Sequence, residues 1–219
     1  MLGFIHRHLD PSESLLEILF GLIMALTMTA GARLLTAPAD LNAAELAVAL
    51  LGCNVAWGVI DAAFYLLGAR FNRNRRMVLV RRLQQATDQD EAIRLVREEF
   101  DLEGEPEMRT EDRADFHRSL TLMLQHAKVE RAHLLPGDYV AAAVICVLVS
   151  LAALPGLIPL LFTGDAAVAL RIANGLQVGL LLLIGYRWAQ YSGANPWRAS
   201  ALIGLLGVGL VLVAVALGG

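Results

Sequence analysis

The chain has 219 residues, 57% of them hydrophobic, with 18 Lys and Arg against 21 Asp and Glu, a net charge of −3 and a mean hydropathy of +0.56. The apolar share exceeds the roughly 45–50% of an ordinary soluble domain, and the mixed charge excludes a basic nucleic-acid-binding surface. The two cysteines, Cys53 and Cys146, stand inside apolar blocks and form no CxxC pair, which excludes zinc-finger and thioredoxin-like sites.

Five apolar blocks, at 14–35, 43–68, 138–162, 166–190 and 197–217, are each near or above the roughly 20 residues that cross a hydrocarbon core as a helix. The expected fold is all-α: a polytopic membrane protein with five transmembrane helices and a cytoplasmic helical insert between spans 2 and 3. Residues 1–68 hold the N-terminal segment and spans 1 and 2, residues 69–136 the cytoplasmic helical domain, and residues 137–219 spans 3 to 5.

The first block opens with "DPSES". Asp10 suits an N-cap, Pro11 the first helical position, and Glu13 the acid of a capping box. Asp10, Glu13 and Glu17 stand where a cleaved signal would be apolar, so the block is read as a retained span. Glu17, Met24 and Met28 are spaced seven and four and share a helical stripe. A carboxylate with thioethers is a mixed hard and soft ligand set that suits a transition ion better than Mg²⁺ or Ca²⁺. The plainer alternative is that the methionines fill packing gaps and Glu17 lies among headgroups.

"TAPADLN" is a polar turn, with Asn42 placed to cap the second span. In that span Asn54, Trp57, Asp61 and Tyr65 recur every three or four residues and form one stripe. A charge near a helix centre costs about 2.5–3.5 kcal/mol on insertion scales. Asp61 therefore either bonds to a neighbouring helix and locks packing, or faces a hydrated path and binds a cation or proton.

After Gly68 comes "ARFNRNRR", with Arg70, Arg73, Arg75 and Arg76. Of the 18 basic residues, 13 lie between Arg70 and Arg131, with 13 of the 21 acids in the same segment. The positive-inside rule places this segment, and the N-terminus with Arg7, on the cytoplasmic side. The turns "TAPADLN" and "FTGDA" then lie outside, and a multi-pass protein of the cell inner membrane is the expected setting. The insert reads as helices at 72–86, 89–100 and 111–130, with a loop at Gly104 and Pro106. Glu98, His117 and His126 are its candidate cytoplasmic metal site, set against ordinary solvated acids and histidines.

Pro155 and Pro159 break or kink the third span. The fourth carries Gly175 and Gly179, a GxxxG spacing expected to pack inside the bundle. It also carries Arg171, Asn174 and Gln177 on one face, read as polar glue between helices. No nucleophile elbow, Walker loop, HExxH or GxGxxG occurs, so no enzyme is expected.

Two spans, a charged helical insert and three more spans resemble the vacuolar iron transporter family of divalent-metal/proton antiporters. "VSLAALPGLIPLL" is similar to that family's third span. Gly185, a short basic loop, Asn195–Arg198 and a Gly-rich last helix are similar to its ending. The resemblance implies a homodimeric integral membrane transporter of divalent transition-metal ions, Fe²⁺ or Mn²⁺, working by proton antiport with no tightly bound cofactor. Its metal and proton pathway would use Glu17, Met24, Met28, Asn54 and Asp61. Phe20 stands where the family's first span carries an Asp, with Glu17 one turn away. Asp61 is only loosely equivalent to the family's second-span acid, and the insert lacks ExxE pairs. The alternative is a non-transporting membrane protein whose cytoplasmic helical domain binds a partner.

Overall fold

A computed structural model of the chain describes residues 9–35, 42–102, 108–129 and 133–217. Among these residues the regular elements are helices: α1 (Pro11–Leu35), α2 (Ala43–Gln85), α3 (Gln89–Glu99), α4 (Thr110–Gln125), α5 (Pro136–Leu151), α6 (Leu154–Phe162), α7 (Ala166–Ser192) and α8 (Pro196–Ala216). Five stretches are long and apolar enough to cross a membrane: α1, α2, α5 with α6, α7 and α8. The fold is all-helical, with the composition of a multi-pass protein in a lipid bilayer. Arg7, Arg131, the loop at Gly104 and Pro106 and most of the "TAPADLN" turn lie outside the described residues. The chain forms two compact units, Met1–Leu66 with Pro136–Gly219, and Leu67–Leu135.

In the first unit α1, α2, α7 and α8 each start on a side chain that takes unpaired N–H groups. Asp10 Oδ1 accepts from Ser12 N at 2.9 Å and Ser12 Oγ at 2.8 Å. Asn42 Oδ1 accepts from Ala44 N and Glu45 N, while its Nδ2 donates back to Glu45 Oε1 at 2.8 Å. Asp165 and Asn195 cap α7 and α8 in the same way. α7 ends at Gly193, whose φ of 70° is the left-handed conformation that glycine adopts at low cost.

The third span comes apart two residues before its first proline. Pro155 has no N–H to give Leu151, and the preceding turn reorganises. Ala153 N donates to Ser150 O at 3.3 Å, and Gly156 N and Leu157 N both donate to Ala153 O, at 3.0 and 2.9 Å. Val149 O, the acceptor that Ala153 N would serve in a continuous helix, is thereby released. The second span, by contrast, runs on where the sequence suggested an end near Gly68: α2 is one helix to Gln85. No proline interrupts it, and a single glycine costs only about 1 kcal/mol in a helix interior.

Three apolar clusters hold the first unit together, one of them Leu9 with Ala141, Ile145 and Val149 of α5. Leu19, Leu22 and Leu26 of α1 meet Ala152, Leu181, Ile184 and Val211. Ala25, Ala47, Leu50, Ala153, Leu160, Ala169 and Leu170 form another. Helices α7 and α8 approach closely because Gly185 leaves room for the Ser200 backbone and Gly207 for Leu181. Gly175 and Gly179 do not serve that purpose. Among the described residues nothing lies within 4 Å of a Cβ built on either. The packed face of α7 carries Ala169, Ala173, Gln177, Leu181 and Gly185, which turns the GxxxG pair outward.

The second unit is built from residues 67–85 of α2 with α3 and α4. Leu79, Leu83, Ala92 and Val96 are its buried core, flanked by Phe100, Leu120 and Leu124. Asp88 caps α3 by accepting from Glu91 N at 2.7 Å, and Glu91 reaches back to accept from Thr87 Oγ1 at 2.7 Å and Thr87 N at 3.0 Å. The hydroxyl bond first, then the amide bond, hold the Glu91 carboxyl below the ordinary glutamate range. Arg75 pairs with Glu99 at 2.7 Å.

Candidate functional site

Helices α1, α2 and α5 can meet closely because two positions carry no side chain. A Cβ on Gly21 would lie 2.7 Å from Ala152 Cβ, and one on Gly58 would lie 2.7 Å from Cys146 O. This proximity places Asn54, 0% exposed, between α1 and α5. Its Nδ2 donates to Gly21 O at 3.1 Å and to Val149 O at 3.0 Å. The second bond takes up the carbonyl released at the break in the third span, as a neighbouring helix must do where no water reaches the backbone. Asn54 Oδ1 is buried without a hydrogen-bond partner among the described residues.

One turn before Gly21 stands Glu17, and one turn after Gly58 stands Asp61; both are half-buried. The two helices run antiparallel here, with Phe20 against Trp57 and Gly21 against Asn54, so Glu17 and Asp61 each follow about one turn further along the same contact. Asp61 Oδ2 is buried with no donor among the described residues. Phe20 meets Trp57 edge-on at 5.9 Å, each ring about two-fifths exposed at 41%. The position where the family resemblance places an acid is thus filled by an aromatic contact between α1 and α2.

The other pathway candidates are less concentrated. Met24 is half-buried two turns beyond Glu17. Met28 packs against the apolar cluster of Ala25, Leu50 and Leu170. In the second unit, His117 is buried with Nε2 3.1 Å from Phe100 O, and His126 is exposed with Nδ1 2.7 Å from Leu122 O. Glu98 is exposed on α3. His126 follows α4 as its C-cap, nine positions after His117, which puts the two histidines on opposite faces. Among the described residues no group of three or more His, Cys, Asp or Glu is placed to hold a metal ion.

A second polar contact escaped the sequence reading. Thr29 of α1 and Gln177 of α7, both 0% exposed, join through Thr29 Oγ1 and Gln177 Oε1 at 2.9 Å. The other end of the Gln177 carboxamide presses on the broken third span, where a Cβ on Gly156 would lie 2.6 Å from Nε2. Two buried carboxamides, Asn54 and Gln177, therefore brace the break from either side of it in sequence. The polar face Arg171, Asn174 and Gln177 pointed to half of this pair. Its partner 148 positions away had no local signature.

No protein-family model matches the chain, and no curated protein matches its sequence.

Proposed function

We propose that the protein is a transporter of divalent transition-metal ions, iron or manganese, that exchanges them for protons. It would work as a homodimer in the cell inner membrane with its N-terminus on the cytoplasmic side. The observation that supports this reading most is the pair Glu17 and Asp61, two carboxyl groups each about one turn from the contacts that Phe20 and Gly21 of one apolar helix make with Trp57 and Asn54 of the next. Two negative charges held there, with Asp61 Oδ2 lacking a donor among the described residues, are costly in a low-dielectric setting. A proton or a cation taken up between them removes that cost. Metal entering the pair displaces its proton, and a proton returning from the other side releases the metal, so the two fluxes are linked. Met24 offers a thioether two turns along the same stripe, a donor that favours a transition ion over Mg²⁺. The arginines after Gly68 support the orientation.

The test is metal-driven proton flux in proteoliposomes. Asp61→Asn keeps the shape of the side chain and removes the charge, and it is expected to abolish the flux. Exchange at the wild-type rate would remove Asp61 from the mechanism.

A second reading, a non-transporting protein whose cytoplasmic domain binds a partner, is favoured by one feature. Helix α4 of the otherwise charged second unit leaves Phe116, Leu122 and Met123 exposed, Met123 at 72%. Calorimetric titration of the purified protein with Fe²⁺, Mn²⁺, Zn²⁺ and Co²⁺ separates the two, since a flat response to all four ions favours the partner.

A further inference from the structure

Where α2 belongs to the second unit, its outward face is apolar along the middle and basic along both edges. Leu67, Phe71 and Val78 are 63%, 66% and 46% exposed. Asn74 is exposed between them, and steps of four, three and four residues set all four on one stripe of the helix. Val80 and Leu83, both buried, lie on the far side. Arg70 and Arg81 flank the stripe on one edge, Arg75 and Arg82 on the other. We propose that this face binds an acidic amphipathic helix of a partner protein, which lays its apolar seam on Phe71 and Val78 and its carboxylates beside the arginines.

Charge selects the partner. Residues 67–85 hold six arginines and no acid. Arg75 pairs with Glu99 at 2.7 Å. Arg70, Arg81 and Arg82 are exposed, and no acid among the described residues pairs with them. A second copy laid on this face would set arginine against arginine at both edges, since the face has no carboxylate to answer them. A helix with acidic flanks meets the opposite charge on each edge.

Lipid accounts for the near end of the face alone. Headgroups add about 5–7 Å to each side of the hydrocarbon. At a usual tilt of about 20° that depth covers about four or five residues of a helix. Val78 and Arg82 lie about 16 and 22 Å beyond Leu67 along α2. Val78 is thus a large apolar group open to water, with Arg75, Arg81 and Arg82 around it. Anchors at alternating steps of three and four along a length of about four turns are what a partner helix reads.

The experiment needs no metal or proton flux, so it is separate from the test of exchange. It is fluorescence anisotropy of the full chain in phosphatidylcholine nanodiscs with a labelled synthetic peptide of about three heptads, Leu at a and d and Glu at e and g. The wild type is expected to bind this peptide at least about tenfold more tightly than its counterpart with Lys in place of Glu. Val78→Ser, at an exposed position, is expected to weaken binding about tenfold through lost apolar burial. Arg81→Gln combined with Arg82→Gln is expected to weaken it about tenfold and to flatten its salt dependence. Arg97→Gln removes an exposed arginine from α3 and is expected to leave binding unchanged. Equal affinity for the two peptides overturns the proposal, and so does undiminished binding in Val78→Ser or in the double variant. An equal loss in Arg97→Gln overturns it too, because net charge alone would then be felt. So does an absence of peptide binding, with the face assigned to lipid if the double variant loses phosphatidylglycerol that the wild type retains in native mass spectrometry, and to a second copy if Val78→Ser separates a dimer.

Discussion

In the second unit Leu79, Leu83, Ala92 and Val96 are inside and most of the described arginines are exposed. In the first unit Val48 and Leu205 are each 74% exposed, while Asn54, Thr29 and Gln177 are fully buried. Helix α2 carries both patterns, with Val59 and Phe64 exposed in its first half and Leu79 and Leu83 buried in its second. The difference is one of solvent. Water drives apolar side chains together in the second unit. Lipid is as apolar as leucine and gives no such drive, so the first unit is held by close contact at small residues and by hydrogen bonds that the backbone would otherwise lack.

The strongest way to break this comparison is to remove the same side chain from each setting. Leu83→Ala opens a cavity in the core of the second unit and is expected to cost about 2–5 kcal/mol of its stability. Leu205→Ala exchanges one lipid-facing apolar surface for a smaller one and is expected to stay within about 0.5 kcal/mol. Denaturant unfolding of both variants, reconstituted in the same bilayer, gives the contrast. Equal losses would mean that Leu205 is covered by protein and that the first unit is not facing lipid on that side.

A finer test uses two glycines of α2. An alanine methyl at position 58 would collide with the backbone of α5, 2.7 Å from Cys146 O. Gly58→Ala is therefore expected to cost about 1–3 kcal/mol, the usual range for overpacking. Nothing among the described residues lies within 4 Å of the same methyl on Gly68. Gly68→Ala is expected to stabilise by up to about 1 kcal/mol through helix propensity alone. Melting temperatures that move in opposite directions support close packing as the bond of the first unit; movement in the same direction counts against it.

The spans themselves were plain in the sequence because a run of apolar residues about a membrane thick has few other uses. The caps at Asp10 and Asn42 were also legible, since a cap is a local event within three or four residues. The stripe through Asn54 and Asp61 was visible for the same reason, but what each residue meets was not. Asn54 finds Val149 only because the third span breaks, and Gln177 finds Thr29 only because α1 and α7 pack together. Such pairings depend on tertiary geometry that periodicity does not encode. The GxxxG of α7 shows the converse, a local pattern that close contact within the chain leaves unused. The carry-through of α2 past Gly68 was misjudged because a charge cluster marks a change of solvent, which a helix can cross without ending.

The smallest effect concerns how the two units begin their helices. The start of α8 is capped by Asn195, whose amide has no charge to lose in acid. The start of α3 depends in part on the ionised Glu91, held by Thr87. A carboxyl whose folded value is depressed contributes stability above its ordinary value of 4.5, and that contribution is lost as pH falls through the lower folded value. Amide protection at the first turn of α3, corrected for the intrinsic exchange rate, should therefore hold from neutral pH down to about 4.5 and then decline. Protection at the first turn of α8 should not follow it. Other acids titrate in the same window, so the discriminating comparison is Glu91→Gln, which keeps a weaker acceptor for Thr87 and should flatten part of the decline at α3. An identical acid profile in that variant would show that the cap bonds of Glu91 contribute nothing that protonation can remove.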